Sequence, residues 1–316
     1  MTIDFKGKDI LNGFQFSNQE LNVIMETASY YEMRVKRGEI IKDLEGLVVA
    51  TLFFEPSTRT RLSFEAAINR LGARVASMAE PANSSIAKGE SLEDTILTVD
   101  SYCDCIVMRH PVSGSAARAA EVAVHPVING GDGTSQHPTQ ALLDIYTIRK
   151  EKGHIGGQTI TFLGDLKYGR TVHSLGYLMQ QFNNKMIFVS PESLRMPEEI
   201  TAELKSRGAD IEETDDIKYA LSQSDIVYVT RVQRERFPSV EEYEKCKGSY
   251  ILNNDLLKYA KPGITIMHPL PRVDEIATEL DTYEGSAYFR QASNGMYLRM
   301  ALLGLVTGRH NICYSI

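Results

Sequence analysis

Short apolar runs alternate with amphipathic stretches along nearly the whole chain. Residues 17–36 have the apolar spacing of a helix that begins near Ser17 and stops before Gly38. Apolar, β-branched runs then predict strands at about 47–53, 73–78, 104–108 and 126–129, with helical stretches between them. A second series opens with Thr159-Ile160-Thr161-Phe162-Leu163-Gly164 and continues near 185–189, 209–212, 225–229 and 264–267. Runs this apolar suit strands covered on both faces, and strand–helix alternation predicts parallel sheets. The fold class is therefore α/β, as two doubly wound parallel-sheet domains with the active site expected in the interdomain cleft. Residues 136–150 read as a helix joining the halves, and 294–308 as an apolar helix returning to the first. The expected domains are 1–150, with a C-terminal helix at about 291–316 packed back on it, and 151–290.

A length of 316 residues agrees with two domains, and a net charge of −7 argues against nucleic acid or an anionic membrane as the main partner. No basic-then-apolar leader and no run of about 18 apolar residues is present, so a cytoplasmic protein is expected. The four cysteines give neither a paired framework nor zinc spacing, and buried reduced thiols are expected. Against this acidic background, local clusters of arginine point to a small anionic ligand.

The most informative cluster is Ser57-Thr58-Arg59-Thr60-Arg61, just after the first strand and Pro56. Ser57 is placed to cap a helix, its hydroxyl accepting a first-turn N–H. Free N–H groups, hydroxyls and guanidinium forks around one helix start suit a phosphate. A purely structural helix would carry Asp or Glu there, because basic residues oppose the helix dipole.

Other stations also follow strands. Arg109, in Met108-Arg109-His110-Pro111, brings a fixed charge to a strand end, although a lone arginine there often serves a surface ion pair. After the turn Asn129-Gly130-Gly131-Asp132-Gly133-Thr134, His137 stands at a helix entrance with Gln140 one turn on. The glycines permit close backbone approach, and a helix N-terminus favours neutral imidazole, a hydrogen-bond donor for a carbonyl gaining charge. A histidine that only bonds backbone fits equally well. Gly164-Asp165-Leu166-Lys167-Tyr168-Gly169-Arg170 lacks the glycine spacing of a dinucleotide site; Asp165 is expected to fix the loop and Arg170 to hold a carboxylate. Arg231 and Gln233 would project from one face of extended chain. In His268-Pro269-Leu270-Pro271-Arg272 the prolines supply no N–H, which leaves carbonyls for a ligand NH₂; a stiff turn is the equal alternative. The stretch 81–90 around Lys88 suits a flap, or a plain loop, ending at a helix cap at Ser91 with Asp94 at its third position.

Taken together, these motifs closely resemble the aspartate carbamoyltransferase catalytic chains, from about residue 8 to 308. The first and third motifs are shared with ornithine carbamoyltransferases. Those enzymes carry cysteine in the His-x-Leu-Pro position, where this chain has Pro269. The resemblance implies transfer of the carbamoyl group from carbamoyl phosphate to L-aspartate, in pyrimidine synthesis, with no metal or cofactor. It assigns Ser57, Thr58, Arg59 and Thr60 to phosphate, and Thr60, Arg109 and His137 to the oxyanion. Gln140 and the carbonyls of Pro269 and Leu270 would bind the carbamoyl NH₂, and Arg170, Arg231 and Gln233 the carboxylates of aspartate. It further implies a homotrimer in which a neighbour donates Ser85 and Lys88, Lys88 reaching aspartate, and leaves room for a separate regulatory chain. An ornithine-type transferase and a non-catalytic carbamoyl phosphate-binding partner are the competing readings.

Overall fold

The computed structural model describes residues 3–79, 89–133, 136–232, 239, 241 and 250–310. The chain divides into two compact units, one formed by Met1–Leu142 with Asn294–Ile316 and the other by Leu143–Ser293. Among the described residues no helix is long and apolar enough to cross a membrane.

The first unit carries a four-stranded parallel sheet in the order β2-β1-β3-β4. Its strands are β1 (Val48–Phe53), β2 (Arg74–Met78), β3 (Cys105–His110) and β4 (Val127–Asp132). The interior strands β1 and β3 are almost wholly buried, whereas β2, at the edge, is largely exposed. That contrast follows from covering both faces of the sheet centre with helices. Ala50, Ile106, Met108 and Val127 pack with Ile96 and Ala116 on one such face. The helix α1 (Asn18–Lys36) begins with a capping box in which Ser17 and Glu20 exchange bonds.

The second unit has a five-stranded parallel sheet in the order β7-β6-β5-β8-β9. These are β5 (Thr159–Leu163), β6 (Lys185–Val189), β7 (Asp210–Thr214), β8 (Ile226–Val229) and β9 (Thr265–Met267). Leu163, Val189, Val227, Val229 and Ile266 form its core with Ala220, Leu221 and Tyr288. All nine predicted strands are present, each within three residues of its expected limits.

The helix boundaries shift more. The helix α5 spans Pro138–Lys152, beginning at its proline as the N-terminal preference of that residue dictates. The last helix runs from Tyr288 to Val306, six residues earlier than the apolar run beginning at 294 suggests. The early start is anchored by the buried Tyr288 and by the bond from the Gln291 N–H to the Ala287 carbonyl, 2.7 Å. Its C-terminal half belongs to the first unit, where Arg299 donates to Ser63 Oγ (2.9 Å) and stacks 5.0 Å over the Phe64 ring.

Candidate functional site

In a parallel sheet every strand ends at the same edge, so the loops after β1, β3 and β4 are neighbours. Pairing sets Phe53 beside Arg109, and the Phe54 N–H bonds the Arg109 carbonyl at 2.8 Å. The helix α2 (Thr58–Arg70) starts three residues after Glu55. Thr58 and Arg59 are exposed, Ser57 is half-buried and Thr60 is buried. Ser57 occupies the N-cap position but makes no capping bond through its side chain, contrary to the sequence expectation. Its φ of −156° and ψ of 89° lie off the usual N-cap geometry, so the hydroxyl is not folded over the first turn.

Thr60, Arg109 and His137 come together around two glycines. A Cβ at Gly131 (φ +118°) would stand 3.0 Å from Arg109 Nη1 and 3.4 Å from His137 Cδ2. One at Gly130 would stand 3.6 Å from Thr60 Cγ2 and 3.8 Å from Arg109 Cβ. The turn holds its shape because Asn129 Oδ1 accepts the Gly131 N–H (2.8 Å) and Asn129 Nδ2 donates to Asp132 Oδ1 (3.2 Å). Arg109 is buried rather than spread on the surface; its Nη1 donates to the Gly130 carbonyl at 3.3 Å and its Nη2 pairs with Glu55. Glu55, two residues before the first motif, carries no sequence expectation; its carboxylate offsets the desolvation of a buried guanidinium. His137 is buried just before α5, its carbonyl accepting the N–H groups of Gln140 (3.0 Å) and Ala141 (3.2 Å). Gln140, also buried, lies on the first turn of that helix.

In the second unit the loops after β5, β8 and β9 are likewise side by side. Thr230 joins the first two: its N–H reaches the Leu163 carbonyl at 2.8 Å, and its hydroxyl reaches the carbonyls of Leu163 and Asp165, each at 3.2 Å. A side chain at Gly164 (φ +117°) would strike the Thr230 carbonyl, so this contact demands glycine. Asp165, fully buried, accepts the Tyr168 N–H at 2.9 Å, the loop-fixing part expected of it. The helix α6 (Arg170–Gln181) then begins with Arg170, which is buried, while Arg231 is half-buried directly after Thr230. After β9, Leu270 has φ +54°. Ser85, Lys88 and Gln233 lie outside the described residues. The Ser91 cap of α3 (Leu92–Asp100) is present, with its hydroxyl accepting the Asp94 N–H at 3.1 Å.

Two family models match in succession: residues 8–150 fit the carbamoyl-P binding domain, and 156–306 the Asp/Orn binding domain, of aspartate/ornithine carbamoyltransferase. The chain belongs to the aspartate/ornithine carbamoyltransferase family. It is 52% identical over 306 residues to the aspartate carbamoyltransferase catalytic subunit of Thermococcus gammatolerans, covering 97% of this chain and 99% of that protein. A match of 50% to the multifunctional protein pyr1-3 of Dictyostelium discoideum covers 96% of this chain and 14% of that protein. Among solved carbamoyltransferase structures, that of the Trypanosoma cruzi aspartate transcarbamoylase with carbamoyl phosphate and aspartate superposes with a TM-score of 0.90. The two chains are 41% identical, with 96% of this chain and 97% of that one covered.

Proposed function

We propose that this chain is an aspartate carbamoyltransferase, condensing carbamoyl phosphate with L-aspartate to N-carbamoyl-L-aspartate and phosphate in pyrimidine biosynthesis. The observation that carries the mechanism is the convergence of Thr60, Arg109 and His137 on the Gly130–Gly131 turn. A carbonyl oxygen held there would meet a hydroxyl, a guanidinium and an imidazole as charge develops on it. Ser57, Thr58, Arg59 and the start of α2 bind the phosphate, and the absence of a Ser57 side-chain cap supports that use of its hydroxyl. Gln140 and the carbonyls of Pro269 and Leu270 take the carbamoyl NH₂. Arg170, Arg231 and Gln233, with Lys88, hold the two carboxylates of aspartate.

The neutral amine attacks the carbamoyl carbon, the tetrahedral oxyanion forms against Thr60, Arg109 and His137, and phosphate leaves. The departing phosphate takes the amine proton, so no covalent enzyme intermediate is needed. Orientation and oxyanion stabilisation are the sources of rate. The same reading makes the enzyme a cytoplasmic homotrimer, with Ser85 and Lys88 donated across the interface, and with or without a separate regulatory chain.

The test is transfer from carbamoyl phosphate to aspartate and to ornithine in parallel. Carbamoyl-aspartate alone is expected; carbamoyl-ornithine would overturn the assignment of Arg170 and Arg231, and neither product would favour a binding role. Arg231→Ala should raise KM for aspartate at least tenfold and leave carbamoyl phosphate binding within about twofold, since a charged hydrogen bond is worth about 1.5–3 kcal/mol. Site sharing has its own assay. Inactive Lys88→Ala and Arg59→Ala chains, mixed and reassembled, should recover activity, and a mixture that stays dead would mean that each chain is self-sufficient.

A further inference from the structure

A chain of buried polar groups in the second unit ends at the Pro269–Leu270 carbonyls. Asp144, on α5, is fully buried; its carboxylate accepts the Tyr228 hydroxyl at 2.8 Å and the Gln291 side-chain NH₂ at 2.7 Å. The carbonyl of that amide accepts the His268 backbone N–H at 2.9 Å. Because the backbone N–H of His268 can only donate, the orientation of the Gln291 amide is determined. The His268 ring continues the chain. Its Nδ1 accepts the Leu270 N–H at 2.8 Å, so the ring proton sits on Nε2 and is donated to Glu275 at 2.6 Å. The other oxygen of Glu275 accepts the N–H groups of Val273 (3.1 Å) and Asp274 (3.2 Å).

In the segment 268–271 both prolines lack an N–H, that of His268 is taken by Gln291 and that of Leu270 by the His268 ring. The segment therefore presents carbonyl acceptors and no donor. Leu270 is held at φ +54°, a left-handed conformation that a leucine adopts only when its surroundings impose it. The bond from its N–H to the imidazole is such an imposition.

We propose that Asp144, Gln291, His268 and Glu275 are positioning residues that fix the Pro269 and Leu270 carbonyls, and so make the site selective for an acyl phosphate bearing NH₂. This rests on the reading of those carbonyls as the carbamoyl subsite. The amide of Gln291 is the centre of the chain, since it links the loop backbone to the carboxylate of Asp144.

The experiment compares carbamoyl phosphate with acetyl phosphate, which carries CH₃ in place of NH₂, as ligands of the intact enzyme. Gln291→Met should weaken carbamoyl phosphate about tenfold, the scale of one well-placed hydrogen bond, and leave acetyl phosphate within about twofold. The exchange Gln291→Glu with Asp144→Asn restores an acceptor toward His268 and a donor between the two side chains, and should return the ratio to within about threefold of the parent. Tyr228→Phe, which removes one hydroxyl from the far end and is the mildest test of folding, should shift the same ratio by about threefold. Equal weakening of both ligands, or an unchanged ratio in folded variants, overturns the proposal. Failure of the underlying reading looks different: the parent enzyme itself would then show no preference for carbamoyl over acetyl phosphate.

Discussion

At Gly131 the backbone turns at φ +118°, and the space that a methyl group would fill is bordered by Arg109 and His137. Glycine meets both demands, tolerating the conformation and leaving the guanidinium where it is. Gly131→Ala should therefore cost activity twice over. An L-residue at that φ is strained by about 1–3 kcal/mol, and relief moves the turn or the arginine. A displaced oxyanion donor typically lowers turnover about 10²–10³-fold. The expected outcome is a fall in kcat of that order in a protein that still folds, read by steady-state kinetics beside a thermal melt. Turnover within about threefold of the parent would mean that the three side chains do not act on the substrate through this turn. Pairing with Glu55 explains how Arg109 can be buried at all, since a buried guanidinium without a partner would be far more costly.

Two helix starts, at Ser57 and Ser91, resemble each other in sequence and differ in structure. Ser91 caps α3 through its hydroxyl, whereas Ser57 stands at the same position of α2 without doing so. Ser91→Ala should lower stability by about 1 kcal/mol with little change in kcat. Ser57→Ala should leave the thermal midpoint almost unchanged while weakening phosphate, read by competitive inhibition. If Ser57→Ala destabilised the fold as much as Ser91→Ala, its hydroxyl would be a structural cap after all. The strands were legible because each is a compact apolar run in a sheet covered on both faces, a pattern visible within five or six residues. Residues at or just after their ends, such as Arg109 and Arg231, were legible for the same reason. The Asp144–Gln291 bond was not: its partners are 147 residues apart, and neither belongs to a local periodicity. The start at Tyr288 was missed because the burial of that side chain is a tertiary feature that no cap signal announces.

His173 in the second unit is buried and His110 in the first half-buried, and this ties the stability of the chain to pH. In the second unit His173 is buried and donates from Nε2 to the Leu166 carbonyl at 2.7 Å, while burial holds its pKa below the ordinary 6.5. In the first, His110 accepts the Val112 N–H on Nδ1 at 3.1 Å; burial again lowers its pKa, and the charge of Arg118 adds to the effect. Both rings are therefore neutral in the native protein and free to take up a proton once unfolded. Below about pH 6.5 the unfolded chain binds more protons than the folded one, so stability is fully present above that pH and falls as pH drops toward the native pKa values. The Glu275 carboxyl responds lower. Burial alone would raise its pKa, but the bond from His268 and the neighbouring N–H groups hold it below the ordinary 4.5, so its contribution is lost only in more acid solution. Denaturant midpoints measured between about pH 7.5 and 5 thus report the imidazoles with little interference from Glu275. The midpoint should decline across that window in the parent and decline less in His173→Gln, whose side-chain NH₂ can still donate to the Leu166 carbonyl. Equal slopes for the two proteins would mean that His173 reaches solvent in its charged form without unfolding, and the buried neutral ring would have to be abandoned.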